Sequence, residues 1–341
     1  MKRYLSGAAL LGALAVIAVP AWAQGSGSKT IDDIKSRGQL VCGVSTGVAG
    51  FSLTDSKGVM QGIDADTCRA VAASILGDGN KIRFVPLNTT NRFTALQAGE
   101  VDLLVRSTTW TLGREASLGL EFAGVNFYDG TGFLVNKSLN VKSAKELNGA
   151  TVCVQPGTST ELALADYFRD NNMKFQPILI EDQSAIQGAF LSGRCDAYST
   201  DLSGLAAFRS QQGPKKDDLI LLPEVISKEP LGLMVRKGDD KYFDIVRWSF
   251  IALLQAEESG ITMANVDKMM DSKDPTIRRF VGAEGDLGKA LGVDNKWAVN
   301  IVKSVGNFSE MWERNITPLG IPRGVNSLWN KGGLMYPPPM R

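Results

Sequence analysis

Histidine is absent from this chain of 341 residues. Without imidazole there is no Ser-His or Cys-His nucleophile and no His-ligated metal, and the commonest general acid–base is missing, so an enzyme is the less favoured reading. Cysteine is sparse: the four present match no zinc spacing and have no His partner, so no metal site or cofactor is expected. Neither sign of charge is in excess. Lys and Arg number 37 against 36 Asp and Glu, a net charge of +1, which argues against nucleic acid or an anionic membrane as the main partner. Apolar runs long enough to cross a bilayer are lacking as well, residues 5–19 being too short and wrongly flanked.

What is present is an ordinary globular composition, 44% hydrophobic and 21% charged, in a chain long enough for two domains. Lys2 and Arg3, the apolar run and Ala21-Trp22-Ala23 have the order of a secretory signal peptide over 1–23, the mature chain starting near Gln24. No cysteine follows that site to carry a lipid, and export to an oxidising compartment would permit disulfides.

The rest of the chain organises around residues 99–114, GEVDLLVRSTTWTLGR. The apolar run Val101, Leu103, Leu104 and Val105 reads as a strand that runs out into Ser107, Thr108, Thr109, Trp110 and Thr111, followed by Arg114. In an open α/β sheet, ligands sit beyond the carboxyl ends of strands. Hydroxyls and N–H groups there, with a guanidinium fork, suit a small carboxylate. The alternative is a polar loop with a solvated arginine. A second stretch weighs against it: Ala95-x-x-x-Gly99-x-x-Asp102 recurs as Ala189-x-x-x-Gly193-x-x-Asp196, each copy followed by a strand ending in hydroxyls, the second at Asp201. Each copy is preceded by a strand with one cysteine, Cys42 or Cys153. Two weakly repeated α/β units facing a shared cleft are therefore expected.

Between these landmarks the pattern predicts helices starting at Thr30 (the candidate cap) and ended by Gly38, then over 68–76, 91–98, 162–169, 185–191 and 242–257. It predicts strands over 39–44, 81–87, 150–155, 175–180, 194–200, 219–222 and 232–236. The Gly-rich aromatic segment 121–133 reads as a first crossing between lobes and 232–236 as the return. From Thr262 the chain reads as helical and irregular, anchored by Trp297, Phe308, Met311 and Trp312, with an extended tail at 336–339. Thr158, Ser159 and Thr160 fall at a helix start, where free N–H groups favour an anion or a hydroxyl serves as a cap. Phe51, in an otherwise small and polar loop, faces either the core or a ligand. If the two units are separate lobes, bridges that leave the cleft free to open pair Cys42 with Cys68 and Cys153 with Cys195.

Taken together, CGVSTGVAGFS, GIDADTCRAVAA, NRFTALQAGEVDLLVRSTTWTLGRE, VCVQPGTSTELALADYF and GRCDAYSTDLSGLAA resemble the polar amino-acid substrate-binding proteins of ATP-driven importers, in particular their general L-amino-acid-binding branch. The resemblance covers essentially the whole mature chain. It implies the type II periplasmic-binding fold: two α/β lobes, each a mostly parallel sheet flanked by helices, joined by two crossover hinge segments. Lobe 1 would comprise 24–133 and 231–341, lobe 2 134–230, and the segment from about Phe280 onward is longer than in compact members.

The same resemblance implies that Arg114 grips a ligand α-carboxylate with Thr109 and the N–H groups of Thr158 and Ser159. The Ser107 carbonyl and the Asp201 carboxylate would take the α-ammonium. Phe51 would form an aromatic wall, and Arg92 would either reach a side-chain carboxylate or face solvent. Trp110 would roof the pocket or pack on its lobe. The implied function is capture of a free L-amino acid by hinge closure in the periplasm, by a monomer that delivers it to an inner-membrane ABC permease. The competing readings are a ligand-presenting sensor for a receptor and a periplasmic dehydratase-like enzyme on the same fold.

Overall fold

The computed structural model describes residues 26–341; the expected leader at 1–23 lies outside the described residues. Among the described residues, twelve strands form two five-stranded sheets and a small hairpin. In chain order they are β1 (Leu40–Val44), β2 (Leu53–Thr54), β3 (Met60–Gln61), β4 (Ile82–Pro86), β5 (Leu103–Thr109), β6 (Leu120–Asp129), β7 (Thr131–Asn136), β8 (Thr151–Val154), β9 (Gln176–Leu179), β10 (Ala197–Asp201), β11 (Leu219–Leu221) and β12 (Glu229–Arg236). The first sheet has the order β4-β1-β5-β12-β6 and the second β11-β7-β10-β8-β9.

Each sheet is mostly parallel, as expected, with four strands running one way and a single reversed strand. The β1–β4 and β1–β5 pairs are parallel, whereas β12 runs antiparallel to β5 and β6. In the second sheet β8 pairs in parallel with β9 and β10, and β7 runs antiparallel to β10 and β11. The antiparallel strands are those beside the crossings, where the chain arrives from the other lobe. The outward crossing is Gly130, between β6 and β7; the return runs through 222–228 into β12.

The helices flanking these sheets are α1 (Lys29–Arg37), α2 (Ile63–Leu76), α3 (Arg92–Gln97), α4 (Leu112–Ser117), α5 (Ser159–Asp170), α6 (Gln183–Leu191), α7 (Leu202–Ser210) and α8 (Asp240–Glu258). Helix α1 is capped by Ser28, whose side chain accepts from the Ile31 N–H, so the cap lies two residues before the expected Thr30. No helix among the described residues is long and apolar enough to cross a membrane.

The repeated A-x-x-x-G-x-x-D frame folds the same way in both lobes. Gly99 and Gly193 each sit at φ +76°, and the following residue's N–H reaches back 3.0 Å to the Ala95 or Ala189 carbonyl. Asp102 and Asp196 then clamp the neighbouring strand: their carboxylates accept from the Val41 and Thr151 N–H groups at 2.8 and 2.7 Å. Disulfides join Cys42 to Cys68 and Cys153 to Cys195, one within each lobe.

The C-terminal segment wraps lobe 1 as α9 (Pro275–Phe280), α10 (Leu287–Leu291), α11 (Trp297–Val305) and α12 (Phe308–Asn315). Trp297, Phe308, Met311 and Trp312 are buried in the lobe-1 core, as their spacing suggests. Arg314 and Asn315 bind Asp66 of α2 at 2.6 and 2.8 Å, and Asn326 holds both backbone groups of Tyr128 on the crossing strand. The tail ends with Met340 buried, so it is pinned to the surface at its far end.

A candidate ligand site between the two sheets

Strand β5 ends at the crevice with a local distortion that the sequence does not announce. Ser107 has φ +43°, a region in which non-glycine side chains are rare and costly. It is held there by Asp64 of α2, whose Oδ2 accepts from both the Ser107 N–H (2.9 Å) and its hydroxyl (3.1 Å). Asn126 donates to the other oxygen of Asp64 at 2.7 Å. Burial nevertheless raises the Asp64 pKa, so this carboxylate is costly to keep charged.

A cavity lies between the carboxyl ends of β5 and β10. Arg92, Ser107, Thr109 and Arg114 line it from the first sheet's side, and Thr158, Ser159 and Asp201 from the second's. Seven of the eight residues expected at a ligand site are thus brought together.

Arg114 follows the Thr111 cap of α4 and donates through Nη1 to the Thr109 carbonyl at 2.7 Å. Arg92 Nη2 donates across the crevice to the Gly157 carbonyl at 3.3 Å. Both guanidinia rest against the Phe93 ring, with Cζ 4.6 Å (Arg92) and 5.3 Å (Arg114) from its centroid. Burial lowers both pKa values, the Arg92 value strongly.

Thr158 caps α5 by accepting from the Glu161 N–H. It is therefore a cap and a cavity-lining residue at once. Asp201 precedes α7 without capping it, which leaves its carboxylate uncommitted. Burial pushes the Asp201 pKa well up, with Asp129 and Glu229 adding like charge. A cationic group placed against it would offset that cost.

The eighth residue, Phe51, lies elsewhere. It is 1% exposed and meets Phe127 edge to face at 5.0 Å; Phe127 stacks in turn on Trp312 of α12. A partner 76 positions further along the chain takes up this ring, so Phe51 is a core residue, and Val48 of the same loop lines the cavity instead. Trp110 also packs on its own lobe, stacked on Phe122 at 5.5 Å, with Nε1 donating to Glu115.

Several residues of the region escaped the sequence reading, Arg106 and Glu229 among them. Arg106 lies inside the organising strand, 6% exposed, and lines the cavity. Its signal was an arginine within an otherwise apolar run. Glu229, at the start of β12, accepts at Oε2 from the Thr109 and Ser159 hydroxyls and at Oε1 from Thr131. It ties the two lobes together at the hinge, and its signal was a lone acid before Pro230.

A hinged crevice lined by an arginine from one lobe and a carboxylate from the other defines a two-lobe binding protein for small polar solutes. The chain belongs to the bacterial extracellular solute-binding proteins, family 3, whose model matches residues 40–260. It is 52% identical over the full length of both chains to the general L-amino acid-binding periplasmic protein AapJ of Rhizobium johnstonii. It is also 52% identical to the glutamate/glutamine/aspartate/asparagine-binding protein BztA of Rhodobacter capsulatus, covering 98% of this chain and 99% of that one. Among solved structures, an ABC transporter periplasmic binding protein from Brucella ovis with glutathione bound superimposes with a TM-score of 0.89 at 53% identity. That match covers 92% of this chain and 99% of the other.

Proposed function

We propose that this protein is the periplasmic binding component of an ABC importer for L-amino acids, of broad specificity that includes the acidic ones and their amides. The observation that carries the reading is the convergence of Arg114 and Asp201, from different lobes, on one cavity. A free amino acid satisfies both at once: its α-carboxylate takes the Arg114 fork and its α-ammonium offsets the buried Asp201 charge. Either charge alone would leave one wall uncompensated. The N–H groups of Thr158 and Ser159 and the hydroxyl of Thr109 assist at the carboxylate, and the Ser107 carbonyl assists at the ammonium.

The mature chain works as a monomer, closes on its ligand by rotation about Gly130 and 222–228, and presents the closed form to an inner-membrane permease. It binds its solute without changing it. The names of AapJ and BztA, which specify amino acids, support this reading. The glutathione in the Brucella ovis protein fits the same logic, since a γ-glutamyl end carries a free amino-acid head.

A thermal-shift screen of the purified mature chain against the twenty amino acids and glutathione tests the proposal, because a ligand that binds only the native state raises the melting temperature. Shifts are expected with L-amino acids and absent with the matching α-keto acids, which lack the ammonium. Equal shifts with keto acids and amino acids would overturn it.

A further inference from the structure

The cavity wall carries more positive charge than an amino-acid head can use. Arg92, Arg106 and Arg114 line it against the single lining carboxylate of Asp201. With Arg114 given to the α-carboxylate and Asp201 to the α-ammonium, two guanidinia remain.

Arg106 is the more unusual of the two. It stands in mid-strand on β5, buried, and forms no ion pair among the described residues. Its protein hydrogen bond there is Nε to the Leu87 carbonyl at 2.9 Å, which spends one of five donors. Of the two acids whose charge favours it, Asp201 acts more strongly but forms no ion pair with it and is assigned to the α-ammonium, and Asp64 already accepts from Ser107 and Asn126. Burial draws the Arg106 pKa down to about 10, the cost of keeping a cation there without a close counter-ion.

Two further polar atoms in the same wall are buried without a hydrogen-bond partner among the described residues: Arg92 Nε and the Thr89 hydroxyl. Thr89 lies two residues after Leu87, the carbonyl that anchors Arg106, and lines the same cavity. Unsatisfied buried donors are rare and costly in native structures.

We propose that Arg106 is a specificity-determining residue: with Arg92 and Thr89 it forms a second anion subsite, separate from that of Arg114, which takes the side-chain carboxylate of an acidic amino acid. The inference rests on the amino-acid-binding reading and deepens it. A carboxylate offers only acceptors, and every free group of this subsite can donate. The amide of glutamine, equal in size, turns an –NH₂ toward donors and brings no charge, so it is the weaker ligand here. An aliphatic side chain leaves both guanidinia uncompensated.

Calorimetric titration of wild type, Arg106→Gln and Arg106→Lys with L-glutamate, L-glutamine and L-alanine tests this. Wild type is expected to bind glutamate at least tenfold more tightly than glutamine. Arg106→Gln is expected to weaken glutamate at least tenfold while moving glutamine and alanine less than threefold, with Arg106→Lys in between. An unchanged glutamate-to-glutamine ratio in Arg106→Gln, or an equal loss for all three ligands, overturns the proposal. Should the Gln variant misfold, L-glutamate γ-methyl ester on wild type decides: binding as tight as glutamate itself overturns the subsite, and a tenfold loss supports it. Wild type that binds none of the three amino acids would instead overturn the amino-acid reading beneath it.

Discussion

At the scale of single residues, the hinge is built from acids that repel one another. Asp129 and Glu229 face each other as Cα partners in the β6–β12 pair, and both charges bear on Asp201. Like charges directly opposite on adjacent strands are unfavourable. Burial carries the Asp129 carboxyl up to about 6 from 3.8, although the Gly130 and Ser203 N–H groups hold its charged form. The folded chain therefore binds this proton more tightly than the unfolded chain. Stability from Asp129 is present at low pH and is lost as pH rises from about 4 to about 6. Asp129→Asn should then raise stability at pH 7.5, by up to about 3 kcal/mol from a shift of roughly two units, and leave it unchanged at pH 4. Urea denaturation at the two pH values checks this, and a loss of stability at pH 7.5 would show that the charge is favourable where it stands.

The residue scale is also where the sequence was most and least informative. Arg114, Ser107 and Thr109 were legible because they follow one apolar strand within a few positions, so local order alone delivers them to its carboxyl end. Asp201 was legible for the same reason in the second unit. Phe51 was not, because its fate depends on Phe127 and Trp312, which reach it only through the tertiary fold. Arg106 was overlooked because a strand interior is ordinarily apolar, and its value lies in breaking that rule.

At the scale of elements, backbone fit matters more than side-chain chemistry. Gly62 starts α2 at φ +127° without any side-chain cap; the first helical N–H groups are satisfied instead by the Gly50 and Phe51 carbonyls at 2.8 and 3.0 Å. A Cβ on Gly62 would sit 2.0 Å from the Phe51 carbonyl oxygen. Since α2 also carries Asp64, which holds Ser107, and Cys68, which bridges to β1, this turn supports the cavity wall from behind. Gly62→Ala is expected to cost about 3 kcal/mol or more through strain and steric overlap, read as a lower urea midpoint; a change under about 1 kcal/mol would mean the loop shifts freely. The repeated A-x-x-x-G-x-x-D frame was readable as a pattern because it is local. Its job, clamping the adjacent strand through Asp102 and Asp196, is a pairing across 61 and 45 positions and could not be read from the frame itself.

At the scale of the molecule, two lobes meet over a crevice in which groups from each side already touch. The Thr109 and Ser159 hydroxyls are 2.9 Å apart, and Arg92 reaches Gly157. The C-terminal segment beyond the family model's residue 260 stiffens lobe 1 through α11 and α12 and fastens the crossing strand at Tyr128. On the proposed reading, closure would then fall to the two crossings, each lobe being cross-linked by its own disulfide. The whole arrangement depends on opposite charges supplied by opposite lobes, so the most direct measurement is calorimetric titration of L-glutamate into wild type, Arg114→Ala and Asp201→Asn, with circular dichroism to establish folding. Each variant should keep a native spectrum and lose at least a hundredfold in affinity; a folded variant of either kind that binds within threefold of wild type would contradict the account.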